Sequence, residues 1–475
     1  MFIKPYKYLF FLLLLITIYL QSFAQDKSKK NSDQQEGFFQ TAVPIHDIDI
    51  ILGRPTNNSI TVSVMSYDSC EGYVQYGLAD TELLDKTIIY RFSNKEATNI
   101  ELQNLLTDKE YAYQLVYFKQ GTVTKQQSSI CHFHTQRKAS SNFSFVIQAD
   151  SHLDENTNTS MYLRTLSNMV DDKPDFLIDL GDTWMTDKYR NNYKDAYQQY
   201  IAQRYYFSML SKTSAIFFTL GNHDGESGEI KRNNFQNSMM NWSNGTRKKF
   251  YPNPYPNQFY AGNNYQENGI SYSEDYYAWE WGNSLFVVLD PFRYTKNNRN
   301  AWDRTLGKAQ YDWLKQILEK SKAKFKFVFT HNLVGGTDKK GIARGGIESA
   351  YLFEWGGNDT ANQDAFAKYR TGWYKPIHAL LVEHNVQAVF HGHDHFFGKQ
   401  DLDGIVYQVL PQPGAMRYGN TNLASEYGYT SGKILNSPGY LRVNVSTDKV
   451  TVEFVQTSID AKQINKQVLY RYEIR

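Results

Sequence analysis

From about residue 40 to 137 apolar and polar positions alternate in short runs, among them SITVSVMS (59–66), GYVQYG (72–77), YAYQLVYF (111–118) and SICHFHT (129–135). A period of two, with turn residues between runs and no helical pattern, predicts short strands, and this spacing predicts an all-β sandwich of fibronectin III or immunoglobulin type. In YAYQLVYF the alternation puts Tyr111, Tyr113 and Leu115 on one face. After a polar linker, QRKASSN (136–142), the pattern changes. Compact apolar runs, FSFVIQ, FLIDL, IFFTL, FKFVF and VQAVF, are interleaved with helical stretches at 189–211, 309–322 and 375–385. Strands apolar on both faces that alternate with helices predict an α/β domain, a two-sheet sandwich flanked by helices. Residues 225–280 are rich in Asn, Tyr and Gly and weakly periodic, and read as a long excursion over the active edge. The last stretch, 400–475, is β-rich and is expected to complete a second sheet.

The ends of the five apolar runs carry the chemistry. They lead into Ala149-Asp150-Ser151-His152, Gly181-Asp182, Gly221-Asn222-His223-Asp224, Thr330-His331 and His391-Gly392-His393-Asp394-His395. In an open α/β sheet, ligands bind beyond the carboxyl ends of the strands. Carboxylates, a carboxamide oxygen and imidazoles, without thiolates, suit Fe, Zn or Mn better than Ca or Mg. Asp182 can bridge two cations, which then lie about 3.5–4 Å apart, activate a shared water and clamp phosphoryl oxygens. His223 follows the candidate ligand Asn222 and is placed to face a leaving group as general acid, a role that contributes roughly 10²–10⁴-fold. Asp224 follows and is expected to orient that imidazole.

Composition narrows the picture. Aromatic residues make up 15% of 475 residues, enough for packed cores in more than one domain. The formal charge is +2, and Lys4 and Lys7 account for that excess, so neither nucleic acid nor an anionic membrane is indicated as partner. Those lysines precede an apolar segment, Leu9 to Tyr19, and the small-residue site Ser22-Phe23-Ala24, which together read as a signal peptide (1–24) with an uncleaved anchor as the rival. A polar tail (25–39) follows, expected to be disordered. The protein is therefore expected to be secreted or periplasmic. Cys70 and Cys131 are the two cysteines; a disulfide and two buried thiols are equally compatible with the sequence.

The order D-x-H, G-D, G-N-H-D, T-H, G-H-D-H over roughly residues 143–410 resembles the calcineurin-like metallophosphoesterase superfamily. The strand pattern ahead of it (40–137) is similar to the N-terminal domain of purple acid phosphatases, which leaves 143–475 as the metallophosphoesterase domain. The resemblance implies Asp150, His152, Asp182 and His395 around a first metal, and Asp182, Asn222, His331 and His393 around a second. It makes His223 the catalytic histidine, assisted by Asp224. Two residues depart from purple acid phosphatases: His152 stands where they have glycine, and Met185 stands where they carry a metal-bound tyrosine. Without that phenolate no charge-transfer colour is expected. His152 fits the wider superfamily.

The expected activity is that of an exported dinuclear phosphoesterase, a phosphomonoesterase acting on small-molecule phosphoesters by attack of a metal-bound hydroxide. A phosphodiesterase or nucleotidase using the same centre is the alternative, and an inactive surface binding protein a remote one. Several residues have plainer readings. His132 and His134 share a strand face and read as surface residues. His391 reads as a hydrogen-bonded neighbour of the site, and His378 and His384 as exposed on a helix. Arg344, in GIARGGIE (341–348), either reaches a substrate phosphate or sits solvated in a loop. Trp355 either walls the pocket or packs its loop.

Overall fold

The computed structural model describes residues 38–475 apart from positions 120, 123, 229–237, 268–269, 296–299, 336–343 and 417. The expected signal peptide, the expected tail up to residue 37, and the first three residues of GIARGGIE lie outside the described residues.

From residue 48 to 134 every named element is a strand. Ile48–Gly53, Ile60–Ser66 and Ala97–Leu102 form one antiparallel sheet. Cys70–Leu78 and Glu110–Lys119 form the centre of a second, joined by Asp85–Lys86, Tyr90–Phe92, Lys125–Gln127 and Cys131–His134. The alternation has its expected consequence: Tyr111, Tyr113 and Leu115 pack into one core cluster with Val62 and Val64 of the other sheet. Cys70 and Cys131 are buried free thiols.

The main strands that follow are β1 (Phe143–Gln148), β2 (Phe176–Asp179), β3 (Ala215–Phe218), β4 (Tyr277–Trp281), β5 (Ser284–Val288), β6 (Phe325–Thr330), β7 (Ala388–His391), β8 (Phe397–Leu402), β9 (Ile405–Val409), β10 (Gly439–Val445), β11 (Val450–Gln456) and β12 (Val468–Ile474). Among the described residues, one six-stranded sheet has the order β3-β2-β1-β10-β11-β12. An eight-stranded sheet runs β4-β5-β6-β7-β9-β8, with Ala261–Gly262 and Lys433–Leu435 at its edges. β1, β2 and β3 are parallel to one another, as are β5, β6, β7 and β9.

Alternation along these strands divides their side chains between two layers. Phe145, Ile147, Phe176, Ile178 and Phe217 meet Phe286, Val288, Phe327, Phe329 and Phe390 between the sheets. The intervening Val146, Leu177 and Ile216 point outward, against Tyr162, Leu166 and Met169 of α1 (Thr159–Asp172) and Tyr200, Phe207 and Leu210 of α2 (Tyr197–Ser211). Next along the chain comes α3 (Met239–Phe250). On the other side Leu285, Val287, Val328 and Val389 pack under α4 (Lys308–Lys320) and α5 (Ile377–Glu383). Each fully buried Phe or Leu contributes about 1.5–3 kcal/mol, so this double layer fixes where the strand ends lie. The antiparallel-stranded region is attached by polar ties as well: Arg204 of α2 donates to the Ser63 carbonyl (2.9 Å), and Tyr113 donates to the Lys212 carbonyl (2.7 Å).

Three expectations change. The helix expected over 189–211 is regular only from Tyr197; Thr186–Ala196 is a 3₁₀ run broken at Arg190 and Asn192, where asparagines compete with the helix for backbone groups. The excursion 225–280 contains α3, capped by Ser238. Its buried positions include Asn241, Ser243, Asn244 and Arg247, so no apolar period marked it in the sequence. The strands of 400–475 divide between both sheets rather than completing one.

Candidate metal centre

The five motif loops leave the carboxyl ends of β1, β2 and β3 in one sheet and of β6 and β7 in the other. Facing parallel strands thus bring them to a common edge. The turns are tight. Asp150, His152, Asp182, His393 and His395 all have positive φ, between 46° and 72°, a region that is strained for residues with a Cβ. Such backbone costs about 1–3 kcal/mol per residue and persists only where the surroundings enforce it. The glycines permit close approach: a Cβ on Gly221 would sit 2.1 Å from the Asp182 nitrogen, and one on Gly392 would sit 2.7 Å from Asp150 Oδ2.

Two groups of side chains result, Asp150 with His152 and His395, and Asp182 with His331 and His393. In each, the ligand atoms lie within 4.8 Å of one another, and either can hold a metal ion. His395 Nε2 is 3.3 Å and His152 Nε2 3.7 Å from Asp150 Oδ1. His331 Nδ1 donates to the Leu180 carbonyl (2.8 Å), which turns Nε2 toward Asn222 Oδ1 (3.1 Å), His393 Nδ1 (3.1 Å) and Asp182 Oδ2 (3.4 Å). Asp182 Oδ2 is also 3.9 Å from His152 Nε2, so this oxygen stands between the groups.

The residues fit cations. Asp150 Oδ1 and His152 Nε2 are buried without a hydrogen-bond partner among the described residues, an arrangement that is unfavourable unless something positive lies between them. The same demand shows in the titration. Burial alone would lower the imidazoles, yet Asp150 and Asp154 push His152 up to about 10, and Asp182 with Asp150 pushes His331 up to about 9. Against their own burial, Asp150 and Asp182 are held well below the usual carboxylate range by His395 and His331. Protons supply this positive charge when metal ions do not.

His223 lies beside these groups. Its Nε2 is 4.0 Å from Asp182 Oδ2, and its ring is about a quarter exposed, at 23%. Its Nδ1 donates to both oxygens of Asp187, at 3.0 and 2.9 Å.

The family model for calcineurin-like phosphoesterases matches residues 143–397. The chain belongs to that family. It is a metal-dependent phosphoester hydrolase. No curated protein matches the sequence. Among solved structures, this phosphoesterase is similar to a purple acid phosphatase, PPD1, from seeds of yellow lupin (Lupinus luteus), with a TM-score of 0.60 at 14% identity over 89% of this chain and 73% of that one. It is also similar to PhoD, with a TM-score of 0.61 at 13% identity over 90% of this chain and 88% of that one. At such identities the likeness concerns the fold.

Some assignments need correction in the phosphoesterase. Asp224 does not orient His223. Its carboxylate is buried and accepts the backbone N–H groups of Gly221, Asp182, Thr183 and Trp184 at 2.7–3.1 Å, so it fixes the Asp182 turn. Asp187 stands where Asp224 was expected. His378 is buried, not exposed: it bonds the Tyr407 hydroxyl (2.7 Å) and Asp403 (3.0 Å). His384 is partly buried at the end of α5. Trp355 packs in the core and donates to the Tyr407 hydroxyl (3.0 Å). His391 is buried, and that burial lowers its ring to about 3. His132 is exposed and His134 partly so.

Arg344 is not solvated in a loop. Its Nη1 donates to the His393 carbonyl (2.9 Å) and to Asp394 Oδ1 (3.2 Å), and its guanidinium lies 4.1 Å from the centre of the Tyr427 ring. It is thereby anchored beside the second group, with 17% of its side chain exposed. The sequence reading missed Asp187, Asp154, which meets His152 Nδ1 at 3.3 Å, and Gln412, which donates to the Asp150 carbonyl. Asp187 sits five residues past Asp182 in an irregular segment, where spacing carries no signal.

Proposed function

We propose that this chain is an exported phosphomonoesterase built on a dinuclear centre, with Asp150, His152, Asp182 and His395 around one ion and Asp182, Asn222, His331 and His393 around the other. The observation that carries this reading is the position of Asp182 Oδ2, 3.9 Å from His152 Nε2 and 3.4 Å from His331 Nε2. When bound, two such cations (Fe, Zn or Mn) supply an acidified water as nucleophile and positive charge for the phosphoryl oxygens. The chain's own residues do the rest. Asp182, whose Oδ2 lies between the two groups, would offer a carboxylate oxygen to both ions. Asp187 accepts from Nδ1 of His223 and fixes the ring so that Nε2 faces the centre, where it holds a proton for the departing alkoxide. Arg344, braced by Asp394, offers its outward edge to a phosphate oxygen. The Arg344 guanidinium beside the centre favours a dianionic monoester over a monoanionic diester.

Export rests on the N-terminal sequence, and among the described residues no helix is long and apolar enough to cross a membrane. Residues 40–137 are assigned as a sandwich domain of fibronectin III or immunoglobulin type, and 143–475 as the catalytic domain. Two measurements test the function. Elemental analysis should find two metal ions per chain, and the chain should cleave p-nitrophenyl phosphate faster than bis-p-nitrophenyl phosphate. The reverse preference overturns the monoesterase assignment. Asp182→Asn should lower metal content and activity together; full activity with two ions retained contradicts the bridge.

A further inference from the structure

We propose that Phe39 and Gln40 are positioning residues for the loop that carries His152, a strap that holds this imidazole in place for the first metal ion; the proposal rests on the dinuclear reading above. Gln40 meets the loop through three hydrogen bonds. Its backbone N–H donates to the Leu153 carbonyl (2.7 Å), and its side-chain Nε2 donates to the carbonyls of Asp154 (2.8 Å) and Thr157 (2.5 Å). Phe39 pairs with Asp154 in an isolated antiparallel bridge.

The loop needs such support. His152 and Leu153 are consecutive residues with positive φ, 46° and 55°, and this conformation turns the loop carbonyls away from any regular partner. Gln40 reaches the ligand through one intermediary: Asp154, whose carbonyl it holds, meets His152 Nδ1 with Oδ2 at 3.3 Å. A carboxylate on the far nitrogen of a ligating imidazole sets its tautomer and direction. Gln199 of α2 holds the His152 carbonyl, and Gln412 donates to the Asp150 carbonyl. Both come from within the catalytic fold, whereas the strap comes from ahead of the whole sandwich.

The strap also touches a second segment. The Phe39 ring stacks on Tyr189 at 4.5 Å between centroids and 17° between planes. Tyr189 belongs to the broken 3₁₀ run that carries Asp187, the partner of His223. Two adjacent residues therefore join the loop of a metal ligand to the segment that fixes the candidate acid.

The test uses the full-length chain, stripped of metal and titrated with Co²⁺ against a chromogenic chelator. The visible bands of Co²⁺ report each site. Wild type should take up two ions. Gln40→Ala, and Gln40→Glu, which keeps the packing but presents a carboxylate to two carbonyls, should weaken one ion about tenfold and leave the other unchanged. Phe39→Ala should act in the same direction, and Phe39→Tyr, which keeps the stack, should restore wild-type binding. The melting temperature of the metal-free variants separates positioning from general damage. Equal weakening of both ions with a lowered metal-free melting temperature overturns the strap, as does wild-type affinity for both ions in Gln40→Ala. A wild-type chain that binds fewer than two ions overturns the dinuclear reading, and the strap with it.

Discussion

Asp187 and Asp224 show how a residue's role depends on what its carboxylate meets. Asp224 adjoins His223 in sequence but spends its oxygens on four backbone N–H groups, whereas Asp187 takes the imidazole. Asp187→Asn should therefore keep both metal ions and lower kcat about tenfold to a hundredfold on alkyl phosphates, with a smaller loss on aryl phosphates, whose leaving groups need less protonation. An equal loss on both classes counts against the acid role of His223. Met185 bears on the metal in a different way. It is buried next to the Asp182 turn, and a thioether does not replace a phenolate on a hard trivalent ion. Tyr189 is stacked on Phe39 and Tyr193 packs against Trp242. The metal-loaded protein should show no strong visible band in its absorption spectrum, and a band abolished by Tyr189→Phe or Tyr193→Phe would place a tyrosine on the metal.

At the scale of elements, the parallel strands and their turns are what assemble the centre. Gly181 has φ +92° and lies against Gly221, which in turn lies against Asp182. Gly221→Ala must push a methyl into the Asp182 backbone and its Oδ1, so it should destabilise the fold by about 1–3 kcal/mol and lower metal content. Elemental analysis with a denaturant titration checks both, and retention of two ions would show that the turn can yield. The elements also show the limit of pattern reading. Strands apolar on both faces were legible because burial on both sides leaves a continuous run. α3 was not, since Arg247 and Asn244 turn inward to Glu226 (2.6 and 2.8 Å) where apolar residues would have marked a period.

For the whole molecule, the positive charge demanded by Asp150 and Asp182 couples the metal to stability. A ligand that binds only the folded state stabilises it by about 2.7 kcal/mol when present at a hundred times its Kd. Chelation should therefore lower the melting temperature by several degrees, and the added metal ion should restore it. An unchanged melting temperature after full metal removal, checked by elemental analysis, would show that the loops are held without ions. The two halves of the described chain should unfold together in that experiment, because Val62, Tyr113, Phe145 and Phe327 belong to one continuous core.

The sequence by itself determined where the main strands end and that the seven candidate ligands and His223 follow those ends, because the apolar runs before them must be buried in any fold of this class. It also determined the β character of residues 40–137, which a period of two sets locally. The tertiary structure alone decided which carboxylate serves His223, that His378 and Trp355 are internal, that the C-terminal strands divide between two sheets, and that Gln40 reaches the His152 loop. Each of these depends on groups far apart in the chain meeting through packing and hydrogen bonds, and neither local periodicity nor spacing records such meetings.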